Sequence, residues 1–121
     1  RLSYLGGWLP LSTEQAERAT RLALAAIAAM PPTRGYVGVD LVLGEGVAGQ
    51  DDRVIEINPR LTTSYAALRS AVEENLAEQM LAATGGTPVK LTPTGKSIEF
   101  DADGSIRRQN IDFMPNSQVN G

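Results

Sequence analysis

The sequence predicts an α+β fold, an antiparallel sheet with helices packed on one face. Three observations predict it. Residues 12–30 carry apolar side chains at helical spacing, residues 35–43 and 53–58 alternate with a period of two, and a second helical stripe is followed by a hairpin pattern at 96–108.

Taken in order, residues 1–5 read as the end of a strand, broken by Gly6-Gly7 and Pro10. Ser12 is a helix N-cap, with Gln15 three residues on completing a capping box. The helix is expected to run to about Met30, where Pro31-Pro32 stop it. Its apolar face is Ala16, Ala19, Leu22, Ala23, Ala26, Ile27 and Met30; Glu14 with Arg18 and Glu17 with Arg21 make i,i+4 pairs on the other side.

Along 35–43, Val37, Val39, Leu41 and Leu43 share one strand face, and Tyr36, Gly38, Asp40 and Val42 the other. Residues 44–52 form a flexible, acidic, glycine-containing connection. In the strand 53–58, Ile55 and Ile57 lie on one face and Val54, Glu56 and Asn58 on the other, before Pro59 ends it. Thr62-Thr63-Ser64 then starts a helical stretch with Leu68, Val72, Leu76 and Met80 as its stripe, in one piece or two, capped by Gly85-Gly86. Residues 96–100 and 105–108 flank Asp101-Ala102-Asp103-Gly104 as a short hairpin.

Composition narrows the chemistry. The 121 residues include no cysteine and no histidine, which removes disulfides, thiolates, structural zinc and histidine-based triads. Carboxylate, amide, hydroxyl and guanidinium groups remain, a set suited to hard cations such as Mg²⁺. A net charge of −3 offers no electrostatic footprint for nucleic acid, and no basic run reads as membrane binding. The apolar stretch 22–30 is too short to span a bilayer. No signal peptide is visible, so a cytoplasmic protein is expected, although the chain opens at Arg1 rather than Met.

If the two central strands form an antiparallel hairpin centred near Ala48, Asp40 faces Glu56 and Gly38 faces Asn58. Directly opposed carboxylates repel, and a bound cation would reverse the sign of that interaction. Two carboxylates and an amide oxygen make a partial shell for Mg²⁺, or equally for Mn²⁺. Acidic residues on the outer face of a sheet are otherwise simply solvated, and pattern alone does not choose between the two readings.

The run Val54-Ile55-Glu56-Ile57-Asn58-Pro59-Arg60, preceded by Gly35-Tyr36-Val37-Gly38-Val39-Asp40, resembles the C-terminal signature of the ATP-grasp superfamily. In that family an acidic residue on one strand and a Glu-x-Asn on the next hold the magnesium ions that bridge the ATP β- and γ-phosphates. The resemblance implies Asp40, Glu56 and Asn58 for that role. It implies Arg60 as the catalytic arginine near the transferred phosphoryl group or substrate. Thr62 and Thr63, opening a helix with free N–H groups, would join the nucleotide-binding set. The longer stretch through Thr62, Thr63, Ser64 and Tyr65 is similar to the branch that includes tyramine–glutamate ligases.

The resemblance implies an ATP-dependent carboxylate–amine ligase, with small-molecule carboxylate and amine substrates, Mg²⁺ as cofactor and ATP as cosubstrate. Residues 1–115 would be the C-terminal part of the domain, and 116–121 a disordered tail. The family also has a nucleotide-binding N-terminal portion with lysines and a phosphate-covering loop. Here Lys90 and Lys96 both follow the motif, so the isolated chain is expected to be inactive. The alternative is a non-catalytic ATP-grasp-like binding or structural module. Substrate identity and oligomeric state, a homo-oligomer included, stay open.

Overall fold

The computed structural model describes residues 1–110, and the tail expected at 116–121 lies outside the described residues. The chain divides into two compact units. One is Leu11–Thr62, and the other joins residues 1–10 to the chain from Thr63 onward. The α+β class is as expected, with the strands distributed over two antiparallel sheets.

The first unit is a helix on a hairpin. Helix α1 (Thr13–Ala28) starts where Ser12 Oγ accepts the Gln15 amide at 3.3 Å. All seven residues of the expected apolar face are half-buried, and α1 packs against both β2 (Gly38–Val42) and β3 (Arg53–Asn58). Because that face is mostly alanine, it does not fill the space beneath it. A cleft of about 510 Å³ lies along Ala19, Ala23, Ile27, Val37, Val39 and Leu41.

Strands β2 and β3 pair antiparallel with Gly38 opposite Asn58, Val39 opposite Ile57 and Asp40 opposite Glu56, as expected. Beyond Asp40 the register shifts by one, so that Leu41 faces Val54. Ile55 is the extra residue of this bulge. It is 66% exposed rather than packed with Ile57, because the insertion turns it out of the alternation. The shift falls on the loop side of the carboxylates and leaves their pairing intact.

The second unit holds a three-stranded sheet of order β1-β4-β5, built from β1 (Gly6–Leu9), β4 (Ser97–Asp101) and β5 (Ile106–Asn110). The first strand is therefore Gly6–Leu9, and not residues 1–5. The glycines read as breakers are instead required by close approach. A Cβ on Gly6, at φ 124°, would sit 2.0 Å from the Phe100 carbonyl oxygen, and one on Gly7 would meet the Phe100 ring at 2.9 Å. Ala67, Ile98 and Phe100 form the buried core, with Leu9 and Ala71 packed against it.

The second helical stripe is in two pieces, α2 (Ser64–Ala71) and α3 (Leu76–Thr84). Val72 is extended and bridges to Pro93, which ends α2. Asn75 Oδ1 then caps α3 by accepting the Glu78 amide at 3.2 Å. At the far end Gly86 takes φ 87°. Its N–H reaches Ala83 O, while the Thr87 N–H reaches Ala82 O, closing α3 with a Schellman motif. Among the described residues no helix is long and apolar enough to cross a membrane.

Candidate functional site

The β2–β3 hairpin gathers three of the expected ligand residues. Asp40 and Glu56 stand directly opposite each other, both exposed. Asn58, one strand repeat beyond Glu56, is only 6% exposed, and its Nδ2 donates to Asp40 Oδ2 at 3.4 Å. That bond orients the amide. Among the described residues no donor meets Asn58 Oδ1, so the oxygen stays available as an acceptor or ligand. Two carboxylates and an amide oxygen on adjacent rungs are oxygen donors of the type Mg²⁺ takes, which completes its octahedron with water and phosphate. Among the described residues no group of three or more His, Cys, Asp or Glu side chains gathers to hold a metal. A cation held here would thus need the amide as its third protein donor.

The chain leaves β3 through a tight turn. Pro59 sits at its centre, with the Arg60 N–H donating to the Asn58 carbonyl at 2.8 Å, the pattern of a γ-turn that suits the φ of proline. Arg60 is exposed, and its Nη1 donates to the Leu61 carbonyl at 3.1 Å. Among the described residues no carboxylate pairs with it, which leaves its guanidinium fork open to an anion. Thr62 is half-buried, with Oγ1 3.0 Å from the Tyr36 hydroxyl. Its methyl fills the notch left by Gly38, where a Cβ would lie 2.6 Å from Thr62 Cγ2. Gly38 keeps its regular pairing with Asn58, and Thr62 covers it.

Helix α2 starts at the expected Thr62-Thr63-Ser64 stretch, with Thr63 as its N-cap and Ser64 as its first residue. Thr62 belongs to the hairpin unit, whereas Thr63 precedes α2 in the other unit and makes no side-chain capping bond. The groups that the hairpin unit itself gathers are Asp40, Glu56, Asn58, Arg60 and Thr62.

Sequence reasoning missed the anchor beneath the hairpin. Arg18 turns away from the expected helix-surface pair with Glu14. Its Nε and Nη2 donate to the two Asp52 carboxylate oxygens at 3.1 and 2.5 Å, and Nη2 also donates to the Gly44 carbonyl at 2.8 Å. Asp52 Oδ1 accepts the Gly44 amide at 2.9 Å. The pair is nearly dry, with side chains 11% and 5% exposed. The connection 44–52, expected to be flexible, is thus tied at both ends to α1. The Arg18 guanidinium holds the Asp52 carboxyl below the usual carboxylate range, outweighing the burial that pushes it up. The sequence offered only an arginine assigned to the polar side of a helix and an aspartate at the mouth of a loop, and neither identifies its partner.

An α+β scaffold presenting opposed carboxylates, an oriented amide oxygen and an open guanidinium has the donor chemistry of a protein that handles a hard cation and an anion together. The family model of the ATP-grasp domain matches residues 1–64, more than half of the chain, and the chain belongs to that family. The matched span contains every candidate residue named above. A curated relative, the tyramine–L-glutamate ligase of Methanocaldococcus jannaschii, is 26% identical over 99 residues, which cover 81% of this chain. The aligned region spans 30% of that relative's length. No solved structure matches the chain.

Proposed function

We propose that this chain supplies the metal- and phosphate-holding part of an ATP-dependent ligase that joins a carboxylate to an amine. Asp40, Glu56 and Asn58 hold Mg²⁺, and Arg60 contacts the transferred phosphoryl group or the substrate carboxylate. The observation that carries this reading is the Asp40–Glu56 rung with the Asn58 amide bonded across to Asp40. Like charges directly opposite each other are unfavourable in a sheet, and a cation between them removes that cost.

A bound magnesium ion would draw charge from the β- and γ-phosphate oxygens. The rest is positioning. The Asn58 Nδ2 bond to Asp40 keeps the carboxylate and the amide oxygen in a fixed relation. Arg60, with five N–H donors in a rigid fork, matches a phosphate or carboxylate bidentately. In the reaction, a substrate carboxylate oxygen attacks the γ-phosphorus and the bond to the bridging oxygen breaks, releasing ADP. The amine then attacks the acyl carbon, loses a proton and displaces phosphate. The name of the curated relative supports L-glutamate and tyramine as the first substrate pair to test.

Titrating the chain with a non-hydrolysable ATP analogue, with and without Mg²⁺, tests the site. Binding is expected to require Mg²⁺ and to weaken about tenfold or more in Asp40→Asn and in Glu56→Gln, each of which removes a charge-assisted contact. Both variants should melt at the same temperature as the parent without metal, or slightly higher, since each relieves the opposed charges. If both instead unfold the metal-free chain, the carboxylates are structural and the metal site is wrong.

A further inference from the structure

Arg60 is useful to an anion only if it is held in place, yet among the described residues its side chain hydrogen-bonds only to the next carbonyl. What fixes it lies on either side in the chain. Before it, the Arg60 N–H is bonded to the carbonyl of Asn58, a residue buried in the hairpin. After it, Thr62 is fastened twice, by Oγ1 to the Tyr36 hydroxyl and by its methyl group in the Gly38 notch. Gly38 is also the residue paired with Asn58, so both anchors fall on the same end of the hairpin.

We propose that Tyr36 and Gly38 form a latch that acts through Thr62 to position Arg60 for its anion. In this role Thr62 is a positioning residue, its hydroxyl bonded to Tyr36 and its effect carried to Arg60 along the chain. The functional half of the inference rests on the nucleotide site proposed above; the latch itself does not.

The notch makes the proposal specific. Gly38 has no positive φ, so its backbone accepts an L side chain, and the nearest obstacle to a Cβ is Thr62 Cγ2. Gly38→Ala should therefore displace Thr62. Adding Thr62→Ser removes the obstructing methyl while keeping the hydroxyl for Tyr36, and should restore the latch.

The first measurement is ¹⁵N relaxation on the chain. Order parameters at Arg60 and Leu61 are expected to fall from about 0.85 toward about 0.6 in Tyr36→Phe and in Gly38→Ala, and to recover in Gly38→Ala/Thr62→Ser. Unchanged values in both single variants would overturn the latch. The second measurement repeats the Mg²⁺–ATP-analogue titration. Tyr36→Phe and Thr62→Val should each lose about tenfold, and the double variant less than the two losses combined, since both singles break the hydrogen bond between them. If Tyr36→Phe binds like the parent while Thr62→Val does not, Thr62 is itself a ligand and the positioning role falls. A parent chain that binds no nucleotide defeats the site reading and the functional half with it, while the order parameters still decide the latch.

Discussion

Asp52→Ala is expected to lower the melting temperature of the 11–62 unit more than any other side-chain truncation in it. The reason is the charge left behind. Arg18 is held by both Asp52 oxygens and the Gly44 carbonyl in a nearly dry setting. Removing the carboxylate strands a guanidinium that α1 cannot easily return to water. Arg18→Ala should be damaging for the converse reason. The double variant should cost less than the sum of the two singles, because it strands neither charge. Thermal melts of the four proteins make the comparison, and strict additivity would mean that the pair is not coupled.

The same pair fixes an acid dependence. The Asp52 pKa is lowered on folding, so its contribution is fully present above the ordinary value of 3.8 and is lost as pH falls through the lowered folded value. Arg18 stays protonated throughout and adds no titration of its own. The stability gap between the parent and Asp52→Asn should therefore be constant from neutral pH down to about 4 and close below it. Glu74 and Asp103, also lowered by their hydrogen bonds to Thr92 and Ser105, are present in both proteins and cancel in the difference.

Ile98→Ala should cost about 2–5 kcal/mol, the largest loss expected from a single aliphatic truncation in the other unit. Ile98 is 1% exposed and packs with Ala67 and Phe100, with Leu9 and Ala71 at the margin. A core this small has little to collapse into the space. Ile106, on the edge strand β5 and 39% exposed, is the control, and its alanine variant should lose under about 1 kcal/mol. A small domain holds only about 5–15 kcal/mol in all, so urea unfolding followed by far-UV circular dichroism separates the two variants readily. Equal losses would mean that the core is not centred on Ile98.

Much of the hairpin was legible before any coordinates. Alternation of apolar residues along 35–43 and 53–58 requires two strands, and their spacing about Ala48 puts Asp40 opposite Glu56 and Gly38 opposite Asn58. The Ser12 cap and the seven-residue stripe of α1 were equally readable, as was the Asp101–Gly104 turn. These features depend on neighbours a few residues apart or on a single period, so local sequence by itself determines them.

The remaining features depend on partners that no local pattern specifies. Ile55 leaves the alternation because a one-residue bulge inserts it between rungs, and that bulge leaves the carboxylate rung unchanged. Gly6 and Gly7 form a strand because Phe100 occupies the space of their missing side chains. Arg18 and Asp52 are 34 positions apart and meet only once helix and hairpin pack together. Thr62, one residue before the α2 N-cap, turns its side chain to Tyr36 and Gly38 rather than to the helix. Strand alternation alone sets which groups share the hairpin face, and packing between distant segments holds them there, because such contacts form only after the chain has closed on itself.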